Sequence, residues 1–157
     1  MKKVVLLLLF ILPLFFLNSC GEAYRIDKIE NVIWKSDTFN IIATSEQLKK
    51  YPDSNQNNNY ASIYINEEKY ACFVGFSWQS RAFAVVLFDE TSNLEIPFYG
   101  DNTDFLRGYY DEIKKEKNKD YLYSCKVRLN SGQYYDYCEA NKLEFPSVIN
   151  FYGYENK

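Results

Sequence analysis

The chain has 157 residues, with 21 acidic against 18 basic side chains, a net charge of −3 and no histidine. That length suits one domain able to bury a real core. The acidic balance argues against nucleic acid, because phosphate binding depends on clustered Lys and Arg. The missing histidine excludes Ser-His-Asp and Cys-His nucleophile pairs and any zinc site with imidazole ligands.

Lys2 and Lys3 precede an uncharged apolar run from Val4 to Leu17, interrupted only by Pro13. Such a run is short for a membrane span, which needs roughly 20 apolar residues, and suits the hydrophobic region of an export signal. It ends in Leu17-Asn18-Ser19-Cys20-Gly21. This segment resembles the lipobox of bacterial lipoproteins, and the resemblance covers only the export segment. It implies that residues 1–19 are removed as a signal peptide, that Cys20 becomes a lipid-modified N-terminus, and that residues 20–157 form a single anchored domain. A residue other than Asp after the cysteine, here Gly21, further implies the outer membrane if the host is Gram-negative.

The mature part is rich in aromatics, with 15 Tyr and 12 Phe in the full chain. Such side chains favour half-buried pleated surfaces. Tyr24 to Trp34 reads as strand-like, and Thr38 to Ala43 as a short β-run. Thr44 and Gln47 have capping-box spacing and predict a short helix through Lys50. Pro52 stops it, and the Asn-rich stretch Asp53 to Asn59 reads as a loop. Ala61, Ile63 and Ile65 share one strand face, and Asn66-Glu67-Glu68 turns the chain. Tyr70, Cys72, Val74, Phe76 and Trp78 then alternate with period two. Ala82 to Phe88 is apolar on both faces and predicts a central strand. After a turn from Glu90 to Asn93, Leu94, Ile96 and Phe98 alternate around Pro97, which suits an edge.

Asn102 or Thr103 is placed to cap a helix from Asp104 to about Lys117, with Phe105, Tyr109 and Ile113 on one stripe. Its lysine-rich end, Lys114 to Lys119, reads as solvated. Tyr121 to Leu129 alternates again, Asn130-Ser131-Gly132 predicts a turn into a strand over Gln133 to Cys138, and a last strand runs from about Val148 to Tyr152. The expected class is mainly β: an antiparallel meander forming a small barrel or a sandwich, with one or two short helices. The outline is similar to small lipocalin-like barrels.

Beyond Cys20, three cysteines remain, and an exported domain meets an oxidising compartment. If Ser131-Gly132 is a two-residue hairpin loop, Cys125 faces Cys138 across a non-hydrogen-bonded pair. Such pairs have Cα atoms about 4.5 Å apart, within disulfide range. A three-residue loop would point the two sulfurs to opposite faces. Cys72, on the most apolar face of its strand, is expected to be a buried thiol.

No phosphate-binding or dinucleotide motif and no C-x-x-C pair occurs. No catalytic residue, metal site or cofactor is assigned. Asp101-Asn102-Thr103-Asp104 offers oxygens to calcium but does not match an EF-hand loop, and helix capping explains it more simply. The expected function is an envelope-anchored binding module for a protein or glycan, drawing on Tyr60, Tyr64, Tyr134, Tyr135 and Tyr137, because aromatic residues dominate such contacts. The alternative is a hydrolase of envelope glycans using carboxylates, with Asp101 and Asp104 or Asp89 and Glu90 as its pair.

Overall fold

The structure, a computed structural model, describes residues 24–48, 60–88 and 104–157. Among them nine strands form: β1 Val32–Ser36, β2 Ile42–Thr44, β3 Ala61–Ile65, β4 Glu68–Phe76, β5 Ala82–Leu87, β6 Leu106–Tyr110, β7 Lys114–Lys115, β8 Tyr123–Ser131 and β9 Val148–Glu155. A 3₁₀ turn at Ile26–Lys28 and two helices, α1 Ser45–Leu48 and α2 Gln133–Ala140, complete the set. Every strand pairing is antiparallel, and neighbours in sequence are mostly neighbours in space. β6 pairs with β8, and β9 pairs with β1, so the meander closes into an eight-stranded barrel with β7 as a short flap on β8.

Alternation sets what faces inward. In β8, Cys125, Val127 and Leu129 are buried while Lys126 and Arg128 are exposed. In β9, Ile149, Phe151 and Gly153 are buried between more exposed neighbours. An eight-stranded barrel is just wide enough for side chains to fill. Phe76 meets the rings of Phe83, Tyr110 and Phe151 at centroid distances of 5.0, 5.0 and 5.7 Å. Trp34, only 1% exposed, points inward opposite Gly153. A Cβ on that glycine would sit 3.3 Å from two indole carbons and 2.8 Å from Val32 Cγ1, so glycine there makes room for the indole.

Each end is closed by its own connections. At the end where β1 begins, Ile26, Ile29, Leu48 and Ile113 are buried beneath the strands. The Ser45 hydroxyl donates to the Val32 carbonyl (3.2 Å) and accepts from the Val32 N–H (3.1 Å), tying α1 to β1. The capping box forms as expected: the Thr44 N–H donates to Gln47 Oε1 (2.9 Å), and the Gln47 N–H reaches Thr44 Oγ1 (3.4 Å). At the far end, Phe39, Phe105 and Tyr134 form an aromatic plug with centroids 5.1–5.9 Å apart.

Three expectations are corrected. Residues 104–117 are not a helix: β6 lies there, then a break, a β-bridge at Ile113, and β7. The stripe of Phe105, Tyr109 and Ile113 competed with an equally good period-two pattern in Leu106, Gly108 and Tyr110, which are the buried positions. Hydrogen bonding to β5 on one side and β8 on the other selects the strand. Residues 133–138 are not a strand but the start of α2. Gly132, at φ 117°, turns the chain sharply before it. Helical spacing then brings Tyr134, Tyr137 and Cys138 to the barrel end, packed on the core.

The third correction follows from the second. Without a 130–133 hairpin, Cys125 and Cys138 do not face each other. Cys125 pairs with Phe151 of β9, Cys138 sits on α2, and Cys72, Cys125 and Cys138 are all free buried thiols. The expected strand at Leu94 to Phe98 and the segment expected to direct export, Cys20 included, lie outside the described residues.

Candidate functional site

The tyrosines singled out from sequence fall in two places. Tyr60 lies on the outer wall against Phe73 (5.1 Å) and Phe88 (4.2 Å), and Tyr64 is half-buried on β3. Tyr134 and Tyr137 stack at 6.1 Å within the far-end plug, while Tyr135 packs edge-on against Phe145 at 5.0 Å. Much of their ring surface is therefore spent on the fold, and they do not converge on one surface.

A different aromatic group does converge. β6 leaves β8 after Tyr110–Val127, and β7 rejoins it at Lys114–Ser124. Between those points the main chain of β8 keeps one link, from the Asp111 N–H to the Lys126 carbonyl (2.8 Å). The gap opens a cleft of about 210 Å³ on the outside of the barrel, lined by Asp111, Glu112, Lys114, Tyr121, Ser124, Cys125, Lys126, Asn150 and Tyr152. Cross-strand pairing dictates its floor: Ser124 stands opposite Tyr152, and Lys126 opposite Asn150.

Its walls are organised by short contacts. The Tyr121 ring packs at 4.7 Å on Tyr152 and 6.2 Å on Tyr154, whose face carries the Lys35 ammonium at 5.5 Å. The Arg128 guanidinium grips the Asp111 carboxylate through two bonds of 3.3 and 3.1 Å. The Ser124 hydroxyl donates to Glu116 Oε1 at 2.6 Å. Asp37 fixes Asn150 by accepting from its backbone N–H and from Nδ2, both at 2.9 Å. Burial pushes the Tyr152 phenol up, helped by the negative charge of Asp37. The cleft thus offers tyrosine rings, an amide, a hydroxyl and charges of both signs, held on a rigid sheet.

No family model, curated protein or solved structure matches this chain.

The site's chemistry accordingly rests on its own residues. Burial pushes the thiols of Cys72 and Cys125 up to about 12, with the charge of Asp111 adding to the effect at Cys125. Neither is a nucleophile near neutral pH. Burial also pushes the Asp104 carboxyl up, against the pull of Arg107, whose Nε lies 3.8 Å away. Asp101, Asp89 and Glu90, the other carboxylates of the hydrolase alternative, lie outside the described residues. Among the described residues no group of three or more acidic or cysteine side chains is placed to hold a metal ion, and no helix is long and apolar enough to cross a membrane.

Sequence reasoning missed Tyr121, Tyr152 and Tyr154. A signal for the last two was present in the alternation of β9, where Ile149, Phe151 and Gly153 go inside and leave Asn150, Tyr152 and Tyr154 outside. Tyr121 heads the alternating run to Leu129 in the sequence, but β8 begins only at Tyr123 and Tyr121 lies in the loop before it, where a strand pattern gives no sign of its ring contacts.

Proposed function

We propose that this chain is an exported lipoprotein, held on the bacterial envelope by a lipid on Cys20, that binds a protein or glycan partner through the tyrosine-walled cleft on β8 and β9. The outer membrane is its expected site in a Gram-negative host. The supporting observation is the cleft itself: aromatic faces beside hydrogen-bonding groups on the solvent side of a barrel whose axis is filled with Trp34, Phe76, Phe83 and Phe151. Such a filled axis directs ligands to the outer wall, and the cleft's size suits one sugar ring or one side chain. Rigid tyrosines provide large contact area at little entropic cost.

The test is capture from envelope extracts, both protein and glycan fractions, on the immobilised mature protein. Tyr121→Ala combined with Tyr152→Ala is expected to weaken capture about tenfold or more, as for hot-spot aromatics, while leaving the melting temperature of the barrel nearly unchanged. Capture indifferent to both substitutions would place the binding surface elsewhere. Palmitate incorporation that disappears in Cys20→Ala tests the anchor separately.

A further inference from the structure

The anchor and the fold together restrict how the barrel sits. Tyr24, the first described residue, is already fixed to the barrel: it forms an antiparallel bridge with Ile113, and its ring lies edge-on to Tyr123 at 5.7 Å. Arg25 follows, chelating Asp27 (3.0 and 2.7 Å) and lying 5.0 Å above the Trp78 ring. Ile26 and Ile29 are buried in the core. The chain is therefore fastened to the end where β1 begins. Only Gly21, Glu22 and Ala23 separate Tyr24 from Cys20, so even a fully extended link spans at most about 14 Å.

That end carries the surface a lipid headgroup layer would meet. Tyr24 is 39% exposed and Leu122 is 40% exposed, both large side chains left uncovered beside the tether. The loop bearing Leu122 is pinned by its N–H to the Gly153 carbonyl (2.7 Å). Lys115 at the end of β7 and Lys117 and Lys119 in the loop that follows it are exposed, while Glu116 is drawn aside by Ser124. Glu112 and Asp120 keep the loop's overall charge near balance, so the surface suits the mixed interfacial zone, where tyrosine rings and lysine stems are at home.

We propose that this end of the barrel is a membrane-contact face, with Tyr24 and Leu122 seated among phospholipid headgroups, Lys115, Lys117 and Lys119 reaching their phosphates, and α2 with the far-end plug turned away from the bilayer. The inference rests on the lipid at Cys20, and the experiment separates the two. The full lipoprotein is reconstituted into phosphatidylethanolamine–phosphatidylglycerol vesicles that carry a trace of headgroup-labelled acceptor lipid. A donor fluorophore is attached at Lys119→Cys or, in a second preparation, at Ala140→Cys, since the native thiols are buried. Energy transfer from position 119 is expected to be at least about threefold faster than from 140, because the short link holds only one end near the lipid surface. Adding Tyr24→Ser and Leu122→Ser is expected to reduce that ratio at least by about half, since the apolar contact then no longer holds the end down. Mass analysis of the N-terminal peptide from the same vesicles reads the lipid on Cys20. Lipid present with equal transfer from 119 and 140, or with a ratio insensitive to the serine pair, overturns the contact face alone. Absence of lipid removes both the anchor and the contact face.

Discussion

Asp37 shows how one side chain can join distant parts of this chain. It sits just after β1, yet it accepts from the backbone and side chain of Asn150 in β9 and from the N–H of Thr38. Burial works to raise its carboxyl, but the hydrogen bonds outweigh that and hold it below the ordinary aspartate value. A depressed folded-state pKa stabilises the fold above the unfolded value, and the gain is lost as pH falls through the folded one. Asp37→Ala is therefore expected to cost about 1–2 kcal/mol at pH 7. Measured by urea denaturation, that deficit should shrink as the pH drops below about 4; a deficit independent of pH would mean that the carboxylate charge contributes nothing. The cysteines yield a second test. With Cys72 and Cys125 raised to about 12 by burial, only on the order of one thiol in ten thousand is ionised at pH 8. Alkylation of the native protein should be slow at Cys72, Cys125 and Cys138, complete at these three after denaturation without reductant, and accompanied by no change of mass on reduction. Blocked thiols in the denatured, unreduced chain would contradict the free state.

β6, expected from its sequence to be part of a helix, closes the barrel. Its register with β8 shifts between Arg107 and Gly108, and a Cβ on Gly108 would come 1.9 Å from the Arg128 carbonyl oxygen. Backbone cannot retreat from such a clash without breaking the ladder. Gly108→Ala is thus expected to destabilise the protein by about 2 kcal/mol or more, visible as a lower urea midpoint, whereas substitution of the exposed Arg107 by Lys should be nearly neutral. Equal midpoints for Gly108→Ala and the parent protein would show that the closing register is not as described. A second interruption of the same ladder, where β6 leaves β8 after Tyr110 and β7 rejoins it at Lys114, opens the tyrosine cleft. α2 has a complementary part: it follows a turn residue that only glycine adopts readily, and it places Tyr134 over the mouth of the barrel.

Among the described residues one continuous core runs through the whole barrel, from Ile26 and Leu48 at one end to Phe105 and Tyr134 at the other. A single core predicts a single cooperative transition. Phe151, fully buried and in ring contact with Phe76 and Phe83 at 5.7 and 5.6 Å, sits in its middle. Phe151→Ala is expected to cost about 3–5 kcal/mol, a large share of the 5–15 kcal/mol typical of a domain, and to lower the midpoint seen by tyrosine fluorescence and by far-ultraviolet circular dichroism together. Separation of the two signals would mean that the ends of the barrel unfold independently.

Sequence alone determined the β class, the inward and outward phase of most strands, the capping box at Thr44 and Gln47, and the turn at Asn66-Glu67, because these depend on neighbours two to four residues apart. It also carried the lipobox-like segment on which the anchor proposal stands. Only tertiary structure decided that residues 106–110 are a strand and 133–140 a helix, that the sheet closes into a barrel, that Cys125 and Cys138 stay apart, and that Tyr121 meets Tyr152. Each of these depends on a partner distant along the chain, such as β8 for β6 or the Phe39–Phe105 plug for α2, and a local pattern compatible with both helix and strand is resolved only when that partner supplies the hydrogen bonds and the buried surface.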